Sequence, residues 1–106
     1  MQDNVIEKWK VIDWRPLYEV SNIGRVRNIK TKRILKTSPT KSHKHPQVWL
    51  YSTYWQATEQ FTLSHIVYNA FNENDKVNFI NCGVGERIGH LDGDITNNKI
   101  ENLYKY

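Results

Sequence analysis

Apolar positions follow a helical spacing in one stretch of the chain, "TLSHIVYNAF", which covers residues 62–71. Five apolar residues there fall at i, i+3, i+4, i+7 and i+8, which makes a single stripe on a helix: Leu63, Ile66, Val67, Ala70 and Phe71. Thr62 or Ser64 is available as the N-cap. The pattern predicts one amphipathic helix over residues 63–72, with His65 at the edge of its stripe and hydrogen-bonded under the first turn.

Shorter alternating patterns before this helix predict strands. "WKVIDW" predicts a strand that ends at Pro16, and "LYEVSNIGRVRNI" predicts a hairpin whose turn uses Asn22 and Gly24, both able to take positive φ. "RILKT" predicts another strand, and "QVWLYST" with "EQFTL" predicts a second hairpin. The region before the helix is therefore predicted to be small and mostly antiparallel β.

After the helix, turn residues separate short extended stretches. The polar stretch "NENDKVNFINCGVGER" predicts a loop with a short strand near residues 77–80. "RIGHL" and "LYKY" predict two final strands, which the Asp-Gly turn in "DGD" and the compact loop "ITNNKIEN" connect. Together these elements predict an α+β fold in a single domain over residues 1–106.

The composition agrees with one folded domain and sets its expected location. Hydrophobic residues make up 39% of the chain and aromatic residues 12%, which is typical of a globular rather than a disordered protein. Cys82 is the only cysteine, so no internal disulfide can form. No signal-peptide pattern opens the chain, and no apolar stretch approaches the ~20 residues of a membrane span. We expect a cytoplasmic protein with no membrane partner.

Charge is distributed unevenly along the chain, although the net value is only +4. Residues 1–50 hold 11 basic and 4 acidic side chains, net +7, whereas residues 51–106 hold 4 basic and 7 acidic side chains, net −3. Between Gly24 and His45 there are eight basic residues and no acid, a pattern that attracts phosphates. Six of them are the predicted nucleic-acid contacts: Arg25, Arg27, Lys30, Lys32, Arg33 and Lys36. The alternative is a solvated basic surface without a ligand.

A cluster of aromatic residues lies in "VWLYSTYW". Trp49, Tyr51 and Trp55, with Tyr54 beside them, are candidates to stack on the base of a nucleic acid or nucleotide. The alternative is that they form the core and edge of a β-sheet.

Two motifs, in order along the chain, resemble those of HNH homing endonucleases. "LYEVSNIGRVRNI", with "EKW" before it, resembles the nuclease-associated modular domain of these proteins, and "SHIVYNAF" followed by "GHLDGDITNNKIENL" resembles their HNH signature. The resemblance covers residues 7–103 and divides the chain into a modular subdomain at 7–61 and an HNH-like subdomain at 62–106.

This resemblance implies a ββα-metal unit and assigns the roles in its site. His90 corresponds to the general base that takes a proton from water, and Asn102 to the residue that orients its imidazole. Asn98, together with Asn97, is expected to tie the loop through side-chain to backbone hydrogen bonds. The predicted catalytic set is therefore His90, Asn102 and Asn98.

The chain departs from the family pattern where the cation is held. Gly89 stands where the family usually has Asp or Asn, and Tyr106 is reached before the final helix of the unit, which carries the second ligand. We therefore predict a truncated unit with no metal-ligating residue and no cofactor. If the site is catalytically active, we expect Mg²⁺ or Mn²⁺ as its cation. The favoured function is an HNH endonuclease-like nucleic-acid-binding protein with a degenerate site.

Two alternatives stay open on the sequence. One is an active, divalent-metal-dependent DNA-nicking endonuclease, with the missing ligand supplied by Asp92, Asp94 or a second copy of the chain. The other is a phage-type inhibitor or sponge that sequesters a nucleotide or blocks a host protein. The partners implied are thus nucleic acid or nucleotide phosphates, a host protein, or the same chain in a homo-oligomer.

Overall fold

The computed structural model describes residues 6–37, 45–73 and 87–106. Its elements, in chain order, are β1 (Trp9–Val11), β2 (Tyr18–Ser21), β3 (Val26–Asn28), β4 (Gln47–Ser52), β5 (Ala57–Thr62), α1 (Leu63–Phe71), β6 (Ile88–His90), a turn of 3-10 helix (Ile100–Asn102) and β7 (Leu103–Lys105). The predicted strand near residues 77–80 lies outside the described residues. The part described is α+β, as predicted.

The strands form three small antiparallel sheets: β1-β2-β3, β4-β5 and β6-β7. Both predicted hairpins and the terminal pair are therefore confirmed. The strand predicted from "RILKT" is wrong, because only one isolated bridge joins Ile34 to Arg27. The Asn28 side-chain oxygen accepts hydrogen bonds from the backbone N–H groups of Lys30 and Thr31, so the chain turns immediately after β3.

Helix α1 packs among all three sheets and supplies the middle of the core. It contacts β1, β2, β5, β6 and β7. Leu63, Ile66 and Val67 of the predicted stripe are buried, whereas Ala70 and Phe71 are partly buried. Ser64, Tyr68 and Asn69 are buried as well, because the helix is covered on more than one face. The Thr62 hydroxyl bonds to the Gln47 side chain and not to the helix N-terminus, so the N-cap position has no side-chain cap. No helix within the described ranges is long and apolar enough to span a bilayer.

A single hydrophobic core includes residues that come before, within and after α1 in the sequence: Ile12, Val20, Val26, Val48, Leu50, Leu63, Ile66, Val67, Tyr68, Ile88 and Leu103. The two predicted subdomains therefore share their buried apolar residues. This shared burial fixes the sheets relative to the helix and to one another.

The β2–β3 turn docks against the terminal loop. Gly24 has φ +94°, which favours glycine, and a Cβ there would lie 2.9 Å from the backbone oxygen of Asn98. The Ile100 N–H donates to the Asn22 carbonyl at 2.8 Å. The Ser-Asn-x-Gly turn thus holds the loop that carries the predicted catalytic asparagines.

Candidate functional site

His90 ends β6 and is held by Asn98. Its Nε2 lies 2.9 Å from Asn98 Oδ1, and the Asn98 side-chain amide donates from Nδ2 to the Ile95 carbonyl at 3.3 Å. Asn98 is buried. The Ile95 contact orients the amide, because only its nitrogen can donate to a carbonyl, and so Oδ1 faces the ring.

This orientation decides which imidazole nitrogen is basic. An amide oxygen only accepts hydrogen bonds, so the neutral ring carries its hydrogen on Nε2 and keeps a lone pair on Nδ1. Nδ1 is the nitrogen that can take a proton from water. The arrangement therefore leaves His90 with the geometry that a general base requires.

The predicted contact between Asn102 and His90 is wrong. The Asn102 amide donates from Nδ2 to Asp92 Oδ1 at 3.0 Å and to the Asn97 carbonyl at 2.8 Å, and its Oδ1 accepts from the Asp92 N–H. The Leu91 N–H donates to the Asn102 carbonyl, so these two residues face each other across the terminal pair of strands. Because side chains alternate along a strand, Asn102 points away from His90. Asn98 has the orienting position instead.

Asp92 and Asp94 are both used to build the loop. Hydrogen bonds to Asp92 from the Asn97 side chain, the Asp94 backbone and the Asn102 side chain lower its pKa to about 2. Asp94 accepts from the Thr96 backbone and hydroxyl, which lowers its pKa as well. Ionised Asp92 therefore stabilises the folded loop at pH values above its ordinary pKa of 3.8. This stabilisation is lost as the pH falls toward 2.

The position before His90 is occupied by the ring of Tyr104. Gly89 is buried, and a Cβ there would lie 2.6 Å from the hydroxyl oxygen and 2.7 Å from Cε1 of Tyr104, its cross-strand partner. Across residues 6–37, 45–73 and 87–106, no three His, Cys, Asp or Glu side chains are grouped so as to hold a metal ion. Gly89 therefore supplies no side-chain ligand at the position where the resemblance implies one.

Gly89→Ala is expected to lower the free energy of unfolding by about 1–3 kcal/mol, because the added methyl group overlaps the Tyr104 ring. In a Tyr104→Ala background the same change is expected to be neutral or slightly stabilising, since alanine restricts the unfolded chain more than glycine does. Urea denaturation of the two single variants and the double variant measures this coupling. An equal cost in both backgrounds would mean that Tyr104 does not fill the position.

His45 lies near His90 and was not among the residues predicted from the sequence. The rings of His45 and His90 are 5.7 Å apart between centroids. Burial lowers the pKa of His65, and the charge of His45 lowers it further. The folded state therefore prefers neutral His65, so stability falls as the pH drops through its ordinary value of 6.5. The only sequence signal for His45 was its histidine-rich stretch, "KSHKHP".

The six basic residues predicted to meet phosphates fall into two sets. In the first, Arg25 is paired with Glu7 through two hydrogen bonds, while Arg27 and Lys32 both reach Glu19, at 2.7 and 3.4 Å. Burial alone would raise the pKa of Glu19, but hydrogen bonds from Arg27 and Lys32 keep it below its usual value. These three cations are ion-paired within the fold, and the two glutamates offset two of their three positive charges.

Arg25 and Arg27 also pack on an aromatic ring. The guanidinium carbons lie 5.7 and 3.8 Å from the centroid of the Trp9 ring, within the range of a cation–π contact. The two arginines thus hold Trp9 of β1 against the sheet, and Arg25 also holds Glu7.

The second set is Lys30, Arg33 and Lys36, which we call the exposed basic set. All three side chains are exposed. In the part of the chain that the structure describes, none of them forms a salt bridge. They are the members of the predicted group whose charge is available to a ligand.

The predicted stacking residues are not in the core. Trp49, Tyr51 and Trp55 are 56%, 40% and 67% exposed, and Tyr54 beside them is 83% exposed. The alternative that these rings form the core of a β-sheet is therefore wrong, whereas Trp49 and Tyr51 do lie on a strand of the two-stranded β4-β5 sheet.

Comparison with known proteins agrees with this architecture. A NUMOD4 motif matches residues 7–51. The chain is also similar to a solved structure described as "DNA binding and cleavage by the HNH homing endonuclease I-HmuI", with a TM-score of 0.69 and 25% sequence identity over 93% of this chain. It spans about half of that structure, 52% of its length. No curated protein sequence matches the chain. The fold is therefore like that of an HNH homing endonuclease.

Proposed function

We propose that this protein binds DNA on an HNH homing-endonuclease-like scaffold whose hydrolytic site is degenerate. The observation that carries the proposal is the position before His90, where the Tyr104 ring packs on Gly89. The similar endonuclease is described as binding and cleaving DNA, and the exposed basic set gives this chain cations suited to a phosphate backbone.

The sizes of the catalytic effects favour binding over cleavage. A positioned base such as His90 contributes typically about 10² to 10⁴ in rate. Enzymes accelerate difficult hydrolyses by about 10⁶ to 10¹⁷ or more. The base alone therefore falls well short of useful phosphodiester hydrolysis.

One observation favours the second candidate, an active DNA-nicking endonuclease. Asn98 holds His90 with Nδ1 free to act as the base, as an active site requires. Such a site would need its cation held by substrate phosphates, waters or another chain, since the described residues beside His90 do not supply a ligand set. An active endonuclease would therefore need cation ligands that lie outside the described residues.

The nucleotide sponge has less support. A cavity beside β1 and α1, lined by residues that include Ile12, Trp14, Ile66 and Asn69, has a volume of about 20 Å³. That space holds one water molecule, whereas ligand pockets are typically about 300–1,000 Å³. No contact in the structure favours a host protein or a second copy as partner within the described ranges.

A salt titration tests the proposed DNA binding. Fluorescence anisotropy of a labelled duplex is expected to show an affinity that falls linearly with the logarithm of salt concentration. The His90→Ala variant is expected to give the same affinity and slope as the wild type, because His90 is half-buried and serves no phosphate contact in this proposal. An affinity that is independent of salt, or lost in His90→Ala, would contradict it.

A further inference from the structure

The β4–β5 hairpin presents four large aromatic side chains to solvent. Trp49 and Tyr51 lie on β4, and Tyr54 and Trp55 lie in the turn. The alternate residues of β4 point into the core, so the two rings share the outer face of the hairpin. Exposed apolar patches of this kind mark binding surfaces. We propose that this aromatic face stacks the unpaired bases of a single-stranded nucleic acid, an inference that rests on the proposed function.

The distance between the two aromatic positions along β4 suits a stacked base. Residues i and i+2 of one strand lie about 6.8 Å apart on the same face, and Trp49 and Tyr51 occupy such positions. Neighbouring stacked bases are separated by about 3.4 Å along a strand. One flat base therefore fills the space between two rings set at this distance, with a stacking contact on each side. Such contacts accept any base, because every base has a π-face.

Charge on the outer face is compatible with phosphates. The cross-strand partners of Trp49 and Tyr51 are Gln60 and Thr58, which are neutral. Glu59 is the only acid of the β4–β5 hairpin, all of which the structure describes, and it pairs with buried Leu50. Its side chain therefore points to the opposite face, where it forms an ion pair with Arg15. The aromatic face itself has no carboxylate to repel a nucleic acid.

The β4–β5 hairpin is connected to the exposed basic set through Tyr18 and Asn28. The Tyr51 N–H donates to the Tyr18 hydroxyl at 3.1 Å, and Tyr18 pairs with Asn28 across β2 and β3. Asn28 accepts from the Lys30 N–H at 2.9 Å, so Tyr18 and Asn28 connect β4 to the start of the exposed basic set. A single strand whose bases stack on Trp49 and Tyr51 would reach these cations by following Tyr18 toward the end of β3. This pairing of rings and cations favours nucleic acid over a second protein as the occupant.

The experiment compares binding of fluorescein-labelled dT12, U12 and a mixed-sequence duplex by anisotropy. The variants are Trp49→Ala/Tyr51→Ala, the conservative Trp49→Phe/Tyr51→Phe, and Tyr106→Ala as a control ring that is equally exposed on another hairpin. Each lost stack is expected to weaken binding about fivefold or more, so the double alanine variant loses about 25-fold or more for single strands. The phenylalanine variant is expected to stay near wild type, Tyr106→Ala to have no effect, and duplex affinity to change little. The dT12 and U12 arms tell whether DNA or RNA is preferred.

Several results would overturn the inference. These are wild-type protein that does not bind dT12 or U12, a folded double alanine variant with unchanged single-strand affinity, or an equal loss in Tyr106→Ala. A double alanine variant that changes only the sedimentation coefficient would identify a second copy as the occupant. Duplex binding distinguishes this inference from the proposed function. If the proposed function fails, the wild type does not bind duplex DNA; if only this inference fails, duplex binding stays intact.

Discussion

Val67→Asp is expected to abolish the folded state. Val67 is fully buried, with 0% exposure, on the helix that packs among all three sheets. An unpaired carboxylate at such a position costs several kcal/mol, against a typical total stability of about 5–15 kcal/mol. Circular dichroism during thermal and urea denaturation measures the loss.

Val11→Asp is the matched control, because Val11 is 49% exposed on β1. The same substitution there is expected to cost no more than about 1 kcal/mol, the range of strand propensities. A Val67→Asp protein that unfolds cooperatively with the wild-type midpoint would contradict the position of α1 in the core.

Neutralising the exposed basic set is expected to weaken duplex DNA binding by about a hundredfold at 0.15 M salt. Each cation that meets a phosphate contributes about 0.9 to the salt slope, and 0.15 M lies about 0.8 decades below 1 M. Three contacts in Lys30→Gln/Arg33→Gln/Lys36→Gln therefore remove about two decades of affinity and about 2.7 from the slope. Anisotropy with a labelled duplex at several salt concentrations measures both.

The three ion-paired residues Arg25, Arg27 and Lys32 provide the matched control, because replacing them changes the net charge by the same amount. Arg25→Gln/Arg27→Gln/Lys32→Gln removes cations that already neutralise Glu7 and Glu19. We expect a smaller change in slope and a lower stability, because the two glutamates lose their partners. A larger slope change in this variant than in the exposed set would mean that the ion pairs open to bind phosphate.

Much of the fold followed from local patterns. The stripe of α1 and the alternation of the hairpins depend on residues within one element, so their spacing is visible in the sequence. The strand predicted from "RILKT" shows the limit of this reasoning, because residues 33–35 return beside β3 but form only one isolated bridge with it, which the local pattern does not reveal. Burial of Ser64 and Asn69 also depends on neighbours distant in sequence.

The details of the site depended on pairing between strands. The resemblance assigned the contact with His90 to Asn102, and only the β6–β7 register and the loop contacts show that Asn98 makes it. The run of basic residues between Gly24 and His45 contains no acid in the sequence, but this did not predict its charge in the fold. The pairing of β2 with β3 brings Glu19 opposite Arg27. The Tyr104 ring over Gly89 is likewise a cross-strand contact that sequence spacing does not reveal.

The central claim is that the protein binds DNA without a working cation-dependent hydrolytic site. The most direct test incubates supercoiled plasmid with Mg²⁺ or Mn²⁺ at protein concentrations where anisotropy shows the DNA to be saturated. Wild type and His90→Ala are both expected to leave the plasmid intact while it is bound. Nicked plasmid that forms with the wild type and a divalent cation, but not with His90→Ala, would contradict the account.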